Sequence, residues 1–392
     1  MDNKLVIITP GTLPVPPVNG GAIEDIIKDI YSYEPLNSKY HIEVHSTDGD
    51  IDKVQMCKNI ALYYHKNSGL VKNVMNFARA LLMQANLPIP NYYLRDVANS
   101  IGYSKFILLE NRLDYLQYCR KKFSSIIIFH LHNDIAYSSR RELDNAYNSL
   151  RCADVVICVS KYIEDKVKSI DNNARVELCY NGVDTNLFMP ASKLRYTEFG
   201  RGSFGIKEDD FVILFSGRPV ESKGVFRLVN AFLEFKTNKK AKLLIVGEKQ
   251  FGASLENSKH DIRLNDGDDG IIYTGFIPHE KMPNIYQLAD VCVVPSIVEE
   301  ACSMTLMEAM ASGLPTIVTR SGGMPELVGA DYPFIIDRAV GLEEKIVQSL
   351  NQLYFDLELR KKMSTYLVKR SNYFTLQRFQ ERFYDILNRY LI

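Results

Sequence analysis

Two glutamates, Glu300 and Glu308, are separated by seven residues in the run Pro295-Ser-Ile-Val-Glu-Glu-Ala-Cys-Ser-Met-Thr-Leu-Met-Glu-Ala-Met-Ala-Ser-Gly-Leu-Pro. Met304, Met307, Met310 and Ala311 recur at a helical period behind Ser303, and Gly313 then Pro315 end the helix after it has carried Glu308. One carboxylate precedes the helix and the other rides on its second turn. The amides of Met304, Thr305 and Leu306 lead that helix as unpaired donors, so an anion fits there between two carboxylates able to accept from hydroxyls. A nucleotide-sugar has that combination of groups. Two glutamates alone would serve equally well as solvated charges on a surface helix.

Other residues offer matching chemistry. Phe211 to Ser216 reads as a strand running into Gly217-Arg218, and Lys223-Gly224 opens a helix with Val225, Leu228, Val229 and Phe232 on one face. Ligands of open α/β sheets bind beyond the carboxyl ends of strands, which puts Arg218 and Lys223 at a pocket mouth. Arginine grips two oxygens of a diphosphate and lysine supplies a point charge, and together they offset charge growing on a leaving nucleotide. Gly20-Gly21 before a helix lets backbone amides approach a phosphate, although such a pair is also a plain turn. His130 and His132 alternate onto one side after a strand, where they suit ligand contact, metal ligation or a structural place. With no third His or Cys at ligand spacing nearby, no metal is expected. Glu110-Asn111-Arg112 follows another strand and reads either as an acceptor contact or as a solvated loop.

Strands and helices in alternation must position these groups. Apolar runs beginning at Leu5, His41, Ile60, Phe106, Ile126, Val155 and Val176 alternate with helical stretches, the mark of a parallel α/β domain. A polar stretch from Ala191 to Asp210 places the junction, and a second series follows at Phe211, Lys242, Ile271, Val291, Thr316 and Phe334. The expected division is 1–190, 191–374, and a terminal helix over 375–392 that carries Leu376, Phe379, Phe383, Ile386, Leu387 and Tyr390 at helical spacing.

Composition narrows the function. Lysine plus arginine and aspartate plus glutamate both number 47, so no basic field draws the chain onto nucleic acid. Seven cysteines without a Cys-x-x-Cys pair suit reduced thiols, and no signal or membrane-spanning run is evident, so a cytoplasmic place is expected. Leu70, Val71, Val74, Met75, Ala78, Leu81 and Leu82 form an apolar helix face with Lys66, Lys72 and Arg79 close by, which suits a core-facing helix or a peripheral membrane contact. The absence of Gly-x-Gly-x-x-Gly counts against a nicotinamide cofactor.

The Glu-x7-Glu spacing, Ala309-Met-Ala-Ser-Gly-Leu-Pro and Ser321-Gly-Gly-Met-Pro-Glu-Leu-Val together resemble the signature of the retaining family-four glycosyltransferases, glycosyl transferases group 1. The resemblance implies a GT-B fold of two facing Rossmann-like doubly wound domains, an acceptor-side one followed by a nucleotide-sugar-binding one. It implies hexose transfer with retention from a nucleotide diphosphate-sugar to a glycan or lipid-linked saccharide, without a cofactor or metal, in bacterial polysaccharide synthesis. Carried over, Glu300 meets donor-sugar hydroxyls and Glu308 the ribose; Arg218 and Lys223 hold the phosphates with Ser303, Met304 and Thr305. Gly20-Gly21 lies over donor phosphates and acceptor, His132 lines the donor-sugar site with His130 behind it, and Glu110, Asn111 and Arg112 meet the acceptor. Two departures stand out: Leu113 replaces a usual proline, and Cys302-Ser303 replaces a usual Phe-Gly, where Ser303 still caps a helix. The rivals are a phosphorylase or epimerase of the same fold, and a non-catalytic coat or scaffold protein that binds sugar nucleotide or glycan.

Overall fold

The computed structural model describes residues 3–17, 21–47, 59–65, 92–191, 199–247, 270–338 and 340–390. They form two compact units, one of Met1–Asn181 with Gln377–Ile392 and one of Gly182–Leu376. The helical stretch expected around Leu70 to Leu82 and the residue Gly20 lie outside the described residues.

The first unit contains β1 (Lys4–Ile8), β2 (His41–Thr47), β3 (Ile60–His65), β4 (Phe106–Glu110), β5 (Ile126–Leu131), β6 (Val155–Cys158) and β7 (Val176–Leu178). Their order is β3-β2-β1-β4-β5-β6-β7, every pairing parallel. Apolar runs such as Phe106-Ile-Leu-Leu, buried at every position, are what a strand covered on both faces requires. Order reverses between β1 and β4, so the loops after these strands flank a switch point, where open α/β sheets take ligands.

The second unit contains β8 (Phe211–Ser216), β9 (Ala241–Val246), β10 (Ile271–Gly275), β11 (Val291–Val294), β12 (Thr316–Thr319) and β13 (Ile335–Ile336). Its order is β10-β9-β8-β11-β12-β13, again all parallel, with the reversal between β8 and β11. The expected apolar runs are all strands, displaced by a residue or two at their ends. Gly217-Arg218 and Pro295 to Ser303 leave the two strands at the switch point.

The division falls before Gly182, earlier than the polar stretch that marked it in the sequence. Phe188 packs on His279 and Tyr286, and Gln287 donates to the Met189 carbonyl at 2.6 Å, so this segment belongs with the second unit. The terminal helix Leu376–Tyr390 buries Phe379, Phe383, Ile386 and Leu387, and from Gln377 onward it belongs to the first unit. Arg382 and Arg389 clamp Glu177, and Gln380 donates to the Asp29 carbonyl. Among the described residues no helix is long and apolar enough to cross a membrane.

Candidate active site

In the second unit the Glu300 to Glu308 run folds as its pattern requires. Ser303 caps the helix Met304–Ala311, its hydroxyl accepting from the Leu306 amide at 3.3 Å. Leu306 was expected as one of three donors for an anion; the cap occupies it, and Met304 and Thr305 lead the turn. Glu300 precedes the helix, held by its own backbone: its amide donates to the Ser321 hydroxyl at 3.1 Å, and its carbonyl accepts from the Gly323 amide at 2.8 Å. Gly322, at φ +48°, passes so close that a Cβ would lie 2.1 Å from the Glu300 carbonyl oxygen, so no larger residue fits there. The Ser321-Gly322-Gly323 part of the motif thus carries the loop on which Glu300 stands.

The sequence pattern assigns Lys223 to phosphate and Glu300 to sugar, as separate groups. In the structure they meet, Lys223 Nζ lying 2.6 Å from Glu300 Oε1, which also accepts from Ser296 at 2.5 Å. The approach depends on Gly224 at φ +72°, where a Cβ would lie 2.0 Å from the Pro295 carbonyl oxygen. Arg218, exposed, follows Gly217 at the end of β8. Glu308 is buried, with Tyr286 donating to Oε2 at 2.8 Å and His279 Nε2 2.8 Å from Oε1. Its charge presses the buried Tyr286 hydroxyl, already raised by burial, further above its ordinary pKa. Neither Tyr286 nor His279 carried a sequence signal, because each lies more than twenty residues away and reaches Glu308 only through the packing of its helix or turn.

In the first unit, Gly21 precedes the helix Ala22–Ser32 at φ +131°. The space its missing side chain leaves is filled from within: a Cβ would lie 2.3 Å from Glu24 Oε2. The glycine therefore makes room for Glu24, where the sequence suggested room for a phosphate. Burial pushes the Glu24 carboxyl up to about 7, aided by the charges of Asp25 and Glu110 against a backbone hydrogen bond that lowers it.

Glu110 departs furthest from expectation. A solvated loop or an acceptor contact was anticipated, yet Glu110 ends β4 wholly buried, in register with His130 of β5. His132 Nε2 lies 2.7 Å and His130 Nδ1 3.1 Å from Glu110 Oε2. Burial pushes the Glu110 carboxyl up, but the two imidazoles outweigh it and hold it down at about 2. Burial, with His130 adding, holds His132 down at about 4. The third group that the sequence did not place beside the two histidines is thus present, and the trio offers ligand atoms within 4.8 Å of one another. Asn111, at φ +54°, turns its side chain to accept from the His132 amide at 3.0 Å, and Arg112 pairs with Asp114 at 2.7 Å over the Tyr115 ring.

Residues 197–370 match the family described as Glycosyl transferases group 1. The chain is 28% identical to YtcC of Bacillus subtilis, provisionally a glycosyltransferase, over 92% of this chain and 86% of that one. It is 25% identical to spore coat protein SA of the same organism over 93% of each. Its fold is similar to that of Anabaena HepE, solved with UDP and glucose, at a TM-score of 0.75 and 18% identity over 98% of this chain and 99% of that one.

Proposed function

We propose that the chain is a group 1 glycosyltransferase of the GT-B fold that moves a hexose with retention from a nucleotide diphosphate-sugar to a hydroxyl of a glycan or lipid-linked saccharide. The observation that carries this reading is the Lys223–Glu300 pair at the switch point of the second sheet, with Glu308 buried on the adjoining helix. A partly exposed cation and two carboxylates at the mouth of strands β8 and β11 match a ligand that is anionic at one end and rich in hydroxyls at the other.

In this reading Arg218 and Lys223 take the diphosphate, the ammonium leaving or sharing Glu300 as a phosphate oxygen arrives. Glu300 then accepts from sugar hydroxyls. Glu308 has one protein donor on each oxygen and a carboxylate has about four acceptor positions, which leaves capacity for both ribose hydroxyls. As the glycosidic bond breaks, negative charge grows on the departing diphosphate and the two cations offset it in place. The leaving phosphate then assists the incoming hydroxyl on the same face, which retains configuration. HepE is solved with UDP-glucose, which makes a UDP-sugar the first donor to try. We place the reaction in the cytoplasm, serving bacterial surface polysaccharide.

The test is a panel of nucleotide-sugars with the anomeric configuration of the product read by NMR. Turnover should persist in excess EDTA, since Arg218 and Lys223 do the work of a divalent ion. Loss with chelator and recovery with manganese or zinc would reassign the metal role, to the phosphates or to the Glu110–His130–His132 trio. The similarity to a spore coat protein keeps a binding role without turnover as the second reading, and saturable binding of UDP with no hydrolysis or transfer across the panel would favour it.

A further inference from the structure

The parallel register of β4 and β5 puts Glu110 beside His130, and His132 follows just past the strand end with its ring 3.9 Å from that of His130. Both imidazoles approach the same oxygen, Glu110 Oε2. An ionised carboxylate accepts and cannot donate, so the protons of these contacts sit on His132 Nε2 and His130 Nδ1. In a neutral imidazole the second nitrogen then bears a lone pair, here Nδ1 of His132. That nitrogen is buried and has no hydrogen-bond partner among the described residues. Leaving a buried acceptor unmatched costs about 1–3 kcal/mol, a cost removed when a ligand brings the missing donor. His130 Nε2 is unmatched too, but the His130 side chain is 0% exposed and packs against Phe383, whereas the His132 side chain keeps 3% exposure and stands past the end of the strand. Asn111 fixes the His132 backbone from the other side.

We propose that Glu110 is a positioning residue that holds His132 with a bare Nδ1, and that this nitrogen accepts a hydrogen bond from a saccharide hydroxyl. The inference rests on the transfer reading for the identity of the ligand but not for the tautomer. It makes His132 an acceptor and not a donor. It also takes Glu110 out of direct contact with an acceptor sugar, since both its partners are imidazoles of its own unit.

Imidazole nitrogen NMR on the full chain tests it, with His132→Asn to identify the resonances. The wild type should show His132 with a bare Nδ1 and a protonated Nε2, and the Nδ1 signal should move on adding UDP-glucose or GDP-mannose. In Glu110→Gln, an amide that both donates and accepts no longer dictates the tautomer, so the pattern should be lost. Its kcat should fall, by as much as the roughly 10⁴-fold that follows loss of a tautomer-fixing carboxylate elsewhere, while the Kd for UDP stays within about twofold because UDP lacks the sugar hydroxyl that His132 meets. A protonated Nδ1 in the wild type, or a Glu110→Gln variant with altered tautomer and full kcat, overturns the proposal. A wild type that turns over no nucleotide-sugar overturns the transfer reading, while the tautomer is decided by the spectrum alone.

Discussion

The two units each carry a charged cluster at the carboxyl ends of parallel strands, and the clusters are built in opposite ways. In the second unit Lys223 and Glu300 meet at a partly exposed pair, with the lysine side chain 30% exposed, so solvent or an arriving phosphate can compete for either partner. In the first unit Glu110, His130 and His132 are buried together; the two imidazoles hold the Glu110 carboxyl down and burial holds His132 down. An open ion pair is worth little to stability and exchanges readily. A buried one is held by every partner and fixes where protons sit. The contrast suggests charge handling by the second unit and hydroxyl orientation by the first.

The largest effect that could break this contrast is on turnover. Arg218→Ala and Lys223→Ala should each cut kcat by about a hundredfold or more, the scale for losing one preorganised group facing growing charge. Full turnover in either variant, measured with the best donor of the panel, would dissolve the role given to the open cluster.

A stability effect sharpens the other side. Glu24 titrates near 7 in the folded protein and near 4.5 in the unfolded chain, so its raised pKa favours folding fully below about 4.5 and that benefit is lost as pH rises through 7. Glu24→Gln should therefore match the wild type at pH 4 and exceed it by about 3 kcal/mol at pH 8 in urea unfolding. A stability difference independent of pH would show that the Glu24 carboxyl is not held in a dry place.

The smallest expected effect concerns Glu308. If it accepts from the ribose, Glu308→Ala should weaken UDP binding about tenfold by calorimetry and lower donor affinity alike, with kcat little changed. The same variant leaves the buried Tyr286 hydroxyl only its longer contact, 3.4 Å, to the Thr305 carbonyl, and stability should fall by about 1 kcal/mol. Unchanged UDP affinity would separate Glu308 from the nucleotide.

Local pattern alone determined much of this protein. The apolar runs became β1 to β13, the Ser303 cap and the Gly313 stop bounded the helix that carries Glu308, and the positions of Gly224 and Gly322 were already marked in the motif. These features depend on neighbours within a few residues, where periodicity and capping act. Tertiary structure alone decided the partnerships: Lys223 with Glu300, Glu308 with Tyr286 and His279, and above all Glu110 with two histidines twenty and twenty-two residues away. Strand spelling says that Glu110 and His130 end parallel strands but not that β4 lies beside β5 in a register that aligns them. That choice is made by the packing of the whole sheet, and it turned an expected surface carboxylate into a buried one.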